Sequence, residues 1–169
     1  MAALTIRPLS AADQEAAVEV INIAARWYAE ILPPEELHGP EMTPAQFDGE
    51  ARRMTWYGAF LGGTLVGVSG LEYVRDAALL RHAYILPEHQ RHGIGLSFVE
   101  RLEADARMER GARGLRRIVV GTYARNYKAR AALEKAGYRL SGDSAAVLRE
   151  YFVIPEDRLR SSVTYEKPL

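Results

Sequence analysis

The chain has no cysteine among its 169 residues. That excludes disulfides, thiolate nucleophiles and cysteine-based zinc sites. Neither sign of charge is in excess, with Lys plus Arg and Asp plus Glu at 22 each. A neutral balance argues against a general polyanion or nucleic-acid binder. No apolar run is long enough to span a membrane. Met1 to Ser10 has no basic start followed by an apolar core, so a cytoplasmic protein is the simplest expectation. Repeats, low-complexity tracts and linkers are also missing. What remains is a composition of 48% hydrophobic and 26% charged residues. Such a chain can bury a sizeable core, and its length favours one domain over residues 1–169.

Local signals divide the chain. Leu4 to Leu9 reads as a short strand, and Ser10 with Asp13 as a loose capping box. Val18, Ile21, Ala25 and Tyr28 recur at helical spacing, and Pro33-Pro34 stops that helix. A proline-rich loop follows, and Thr43-Pro44 opens a second helix to about Arg53. Trp56 to Leu61 and Thr64 to Tyr73 form a hairpin around Gly62-Gly63. The next strand is roughly Ala78 to Leu86. A helix from Leu96 to Arg110, a break over Gly111 to Gly114 and a short buried strand at Arg117 to Gly121 come next. That strand is expected to be parallel to a neighbour, because a helix precedes it. Asn126 caps another helix, which ends at Gly137. Val147 to Ile154 and Ser162 to Glu166 are expected as a final pair of strands. The order predicts an α/β fold: a mixed, mostly antiparallel sheet of six to seven strands with a parallel central pair and helices on both faces.

The segment Gln90-Arg91-His92-Gly93-Ile94-Gly95 carries the most information. It lies between the strand ending at Pro87 and the helix from Leu96. A glycine loop at a helix start presents unpaired N–H groups and the positive end of the helix dipole, which suits a phosphate. Arg91 and His92 add positive charge. The three glycines of a dinucleotide-binding loop are absent.

With Asn126, Ala129 and Gly137-Tyr138 downstream in register, the chain resembles the GNAT superfamily of acetyl-CoA-dependent N-acyltransferases. The resemblance is sharpest from Ala83 to Tyr138. It implies acetyl-CoA as co-substrate and no metal. It also implies a cofactor-binding set: Ile85, Leu86 and Pro87 at the strand end; Gln90, Arg91, His92, Gly93, Ile94, Gly95, Leu96 and Ser97 in the loop and helix start; and Asn126 and Ala129. The strand's free backbone groups would meet the pantetheine arm, and the loop amides the pyrophosphate. Family members are often dimers, so a homodimer through the final strands is a further expectation.

Acetyl transfer needs a base for the amine, donors for the oxyanion and an acid for the leaving thiolate. The position where the family often has a tyrosine acid is Leu133, which cannot donate a proton. Tyr123 is the better substitute, Tyr127 lying on another helix face; a packed loop aromatic is the alternative for Tyr123. Glu72 is the first candidate base, the alternative being an exposed strand-end carboxylate. Alternation places Arg81, Ala83 and Ile85 on one face and His82 on the other, under a helix. Arg81 would pair with a carboxylate of the acceptor or of the protein. Trp27, Tyr28, Trp56 and Tyr57 flank a loop that holds Glu35, Glu36, His38 and Glu41, and that resemblance makes this region one wall of the acceptor site. The leading expectation is transfer to a primary amine of a small molecule by direct attack. A protein or peptide N-acetyltransferase and a non-catalytic acyl-CoA sensor are the competing readings.

Overall fold

The computed structural model describes residues 2–37, 39–152 and 154–169. Strand β1 (Leu4–Pro8) is followed by α1 (Gln14–Ala24) and α2 (Pro44–Ala51). Then come β2 (Met54–Leu61), β3 (Thr64–Val74) and β4 (Ala77–Ile85). The second half runs α3 (Ile94–Arg113), β5 (Arg117–Tyr123), α4 (Tyr127–Lys135), β6 (Arg139–Leu140), α5 (Ser144–Tyr151), α6 (Glu156–Leu159) and β7 (Ser162–Pro168). The strands form one seven-stranded sheet in the order β1-β2-β3-β4-β5-β7-β6. Among the described residues, β4 and β5 pair in parallel and the other pairs are antiparallel. The mixed sheet with its parallel central pair is therefore present.

Alternation along the strands separates two apolar layers. Ala78, Leu80, Ile118 and Val120 pack with Phe98, Leu102 and Ala106 of α3 and Leu133 of α4. Trp56, Val68 and Tyr84 pack on the other face with Ala17, Val20, Ile21 and Ala24 of α1 and Phe47 of α2. Ala77, Leu79 and Val119 continue that second layer under Leu148 and Tyr151 of α5 and Leu159 of α6.

Several sequence readings need correction. Val147 to Ile154 is not a strand: its first part belongs to α5, and Val153 lies outside the described residues. Asp143 caps that helix by accepting from the Ala146 N–H at 3.0 Å. Leu148 and Tyr151, three apart, are its buried face, a helical spacing. The partners of β7 are β5 and the two-residue edge strand β6. Helix α3 starts two residues early, at Ile94, and runs through Gly111 to Arg113, where Gly114 at φ +64° ends it. His38 also lies outside the described residues.

Candidate active site

The parallel pair is short. Leu80 and Val120 are the last partners of β4 and β5, although β5 continues to Tyr123 on β7 and β4 to Ile85 on β3. Beyond that point the two strands part. The Leu86 N–H donates to the Val66 carbonyl on β3 at 3.0 Å. Alternation therefore turns the Ile85 N–H and C=O away from β3, into the gap. The Gln90 side-chain amide donates to the Ile85 carbonyl at 3.1 Å. Ala83 is exposed although it sits inside a strand.

The start of α3 borders the same gap. Its first helical bond is the Ser97 N–H to the Gly93 carbonyl, at 3.0 Å. The N–H groups of Ile94, Gly95 and Leu96 thus have no intrahelical acceptor, and the helix dipole is positive there. Gly93 has φ +78°, which accounts for glycine at that position. Gly95 is different. A Cβ there would meet only the Ile85 Cδ1 at 3.5 Å, ordinary contact. Nothing in the fold requires glycine at 95. Leu86, Pro87, Arg91 and His92 ring the same loop, with Pro87, Arg91 and His92 exposed.

Helix α4 begins beside it. The Asn126 side-chain Oδ1 accepts from the Ala129 N–H at 3.2 Å, and its Nδ2 donates to Thr122 Oγ1 at 3.4 Å. Asn126 is thus a cap that fixes the turn from β5 into α4.

On the opposite face the sheet is bulged. Gly70 pairs with Arg81 and Val68 with Tyr84, so Ser69 alone opposes His82 and Ala83. His82 takes φ +56°, strained for a residue with a side chain. The bulge breaks the expected alternation. Arg81 and His82 both reach Glu50 Oε2, at 3.3 and 3.4 Å, and Ile85 packs with the α3 layer instead. Arg81 also donates to Glu72 at 2.6 Å, with both side chains buried. The partners of Arg81 are thus protein carboxylates, and Glu72 is a buried ion-paired group, not an exposed strand end. Burial works against the Glu50 charge, but the His82 hydrogen bond and the Arg81 guanidinium outweigh it and pull its pKa down to about 2. Burial likewise holds His82 below its ordinary value, with Arg81 adding to the effect and Glu50 opposing it. His82 lies against Trp56, which stacks on Phe47 of α2.

Toward the gap this face is aromatic. Tyr28 meets Tyr123 edge-on at 4.8 Å and Tyr84 at 6.1 Å. The Tyr84 hydroxyl donates to Glu41 at 2.9 Å, and Arg158 holds both oxygens of that carboxylate at 3.0 and 3.2 Å. Burial above all, with Glu41 and Glu36 adding and Arg158 opposing, pushes the Tyr123 hydroxyl up to about 12. That hydroxyl makes no hydrogen bond among the described residues.

Residues 20–138 match the family model for the acetyltransferase (GNAT) family. The chain belongs to the GNAT acetyltransferase family. No curated protein matches the sequence. Solved GNAT-like structures share the fold over the whole length. PaiA N-acetyltransferase from Thermoplasma acidophilum, in complex with coenzyme A, is 22% identical with a TM-score of 0.70, covering 99% of both chains. An acetyltransferase from Thermus thermophilus is 23% identical, TM-score 0.70, covering 100% of both. The ribosomal-protein-S18-alanine N-acetyltransferase of Escherichia coli is 19% identical, TM-score 0.70, over 98% of this chain and 94% of that one.

Within this GNAT fold, Ile85 and Ile94 pack into the α3 layer, and Asn126 and Ala129 lie where β5 turns into α4. Tyr123 stands at the edge of the gap on the other side, and Glu72 lies deeper, under the paired part of β3 and β4. Leu133 is buried in the α3 layer rather than turned to the gap, and Tyr127 is 69% exposed. Sequence reasoning missed Glu50, Tyr84, Arg158 and Ser161. No motif marks them; only the bulge and the fold of the tail bring them in.

Proposed function

We propose that the protein transfers the acetyl group of acetyl-CoA to a primary amine of a small molecule, by direct attack without a covalent enzyme intermediate. One observation carries this reading: strands β4 and β5 part beside a helix start whose amides are unpaired and whose Gly95 the fold itself does not need. The donor fits that cradle. The N–H groups of Ile94, Gly95 and Leu96, with Arg91, His92 and Ser97 near, would hold its pyrophosphate. The open-edge groups of Ile85, with Leu86, Pro87 and Gln90, would hold the pantetheine arm. Asn126 and Ala129 shape the other bank. Acetyl-CoA supplies an acyl carbon activated by a thiolate leaving group.

The amine would enter from the tyrosine-lined face and must shed a proton. His82 is the better-placed base. Its depressed pKa keeps it neutral at pH 7, Glu50 orients it, and its strained backbone fits a functional position. Glu72 is then the anchor of Arg81, whose guanidinium it holds at 2.6 Å. As the new C–N bond forms and the C–S bond breaks, the sulfur becomes a thiolate. Tyr123 is protonated at pH 7 with a free hydroxyl. A thiol near 8.5 is the stronger acid, so Tyr123 would donate a hydrogen bond to the leaving sulfur rather than surrender its proton outright. Arg158 on Glu41 and Ser161 on Glu36 tie the tail to the 33–44 loop across this face, which suits a compact acceptor rather than an extended peptide. A thiol-release assay over a panel of amines and peptides tests the reading. Thiol release that depends on a small amine is expected; release with peptides only, or cofactor binding without release, overturns it.

A further inference from the structure

Glu36 is 7% exposed, and its two carboxylate oxygens differ. Oε1 accepts from the Ser161 hydroxyl at 3.1 Å. Oε2 is buried with no hydrogen-bond partner among the described residues. A buried carboxylate oxygen without a donor is costly, and native structures seldom keep one for no purpose. The residue is firmly held. Its N–H donates to the Pro33 carbonyl at 2.9 Å, and the Ser161 carbonyl accepts from the Ala124 N–H at 2.7 Å. Ser162 is in register with Tyr123. Glu36 is thereby fixed beside the end of β5, where Tyr123 and Tyr28 meet. On this face Arg81 is held by Glu72 and Glu50, and Arg158 is bound at both ends of its fork by Glu41, its Nε being buried without a partner among the described residues. No ion pair among the described residues neutralises Glu36.

We propose that Glu36, with the rings of Tyr28 and Tyr123, holds a second cationic group of the acceptor, so that the preferred acceptor is a diamine-like molecule. An alkylammonium supplies the N–H donor that Oε2 lacks, and its charge is attracted to tyrosine faces. The group on Glu36 is not the one that reacts. A carboxylate keeps a bound ammonium protonated, whereas the nucleophile must lose its proton. One end of the acceptor is therefore anchored charged while the other is deprotonated near His82.

This inference rests on the acetyl-transfer reading, and its test separates the two. Steady-state kcat/KM is measured for α,ω-diaminoalkanes of three to eight carbons and for the monoamines of equal length. At the best length the diamine should be favoured at least tenfold, and Glu36→Gln should bring that ratio close to one. Glutamine keeps the shape and the Ser161 contact; an unchanged circular dichroism spectrum confirms that the variant is folded. Equal kcat/KM for diamine and monoamine in the wild-type protein overturns the inference alone and needs no variant. A preference that survives in Glu36→Gln also overturns it. Turnover of no amine, with acetyl-CoA bound, overturns the acetyl-transfer reading and this inference with it.

Discussion

Arg81 and His82 are consecutive residues of one strand, yet both reach the same oxygen of Glu50, at 3.3 and 3.4 Å. A regular strand would send them to opposite faces. The bulge opposite Ser69 joins a buried cation and carboxylate, Arg81 and Glu72, to the half-buried imidazole and carboxylate of His82 and Glu50 in one network.

That network assigns different tasks to Glu72 and His82. Glu72→Gln should destabilise the fold by about 1.5–3 kcal/mol, because Arg81 loses its closest carboxylate but keeps Glu50 at 3.3 Å. Urea unfolding measures this. The folded variant should keep the acid limb of its pH–rate profile. Loss of that limb in Glu72→Gln, rather than in His82→Gln, would make Glu72 the base.

The pH dependence has a definite sign. The ordinary His82 value is 6.5 and the folded value is lower. The unfolded chain therefore takes up a proton first, and stability falls as pH drops below about 6.5. Glu50 continues the loss. Its stabilisation is complete above its ordinary value of 4.5 and disappears as pH falls toward about 2. Urea midpoints should be level from pH 7.5 to about 6.5 and decline from there to pH 4, and His82→Gln should flatten the upper part of that decline. For activity, the acid limb of kcat/KM should lie below pH 6.5.

Gly95→Ala separates fold from function. The position is helical and has room for a methyl group, so the variant should be as stable or gain roughly 0.5–1 kcal/mol. The same methyl group would stand over the loop amides. Acetyl-CoA affinity by calorimetry should fall at least tenfold, while thermal unfolding shows no loss.

Tyr123→Phe removes only a hydroxyl that lacks a hydrogen-bond partner among the described residues, and the edge-on contact with Tyr28 remains. Stability should hardly change. kcat should fall about ten- to a hundredfold, since a hydrogen bond to a charged sulfur is worth about 1.5–3 kcal/mol, with KM for acetyl-CoA unaltered.

The legible parts of this protein are local. The Gly62-Gly63 hairpin, the Gly93 loop before a helix and the Asn126 cap each rest on residues within a few positions of one another. The bulge is not legible, because a histidine at φ +56° has no sequence signature. Helix α5 reads as a strand because Val147 to Phe152 is apolar enough for either element, and its cap, Asp143, lies outside the run. Arg158 and Glu41 are 117 residues apart, so their pairing emerges only from the fold. Leu133 is visible as a departure from the family pattern, but its place in the core is not.

The most direct test follows both products at once, free thiol by a chromogenic reagent and acetylated amine by mass spectrometry, with acetyl-CoA and a diamine. Acetyl transfer predicts one acetylated amine per thiol, and loss of both in Gly93→Glu, which should no longer bind acetyl-CoA. Thiol without acetylated amine, or the same yield from Gly93→Glu, would contradict it.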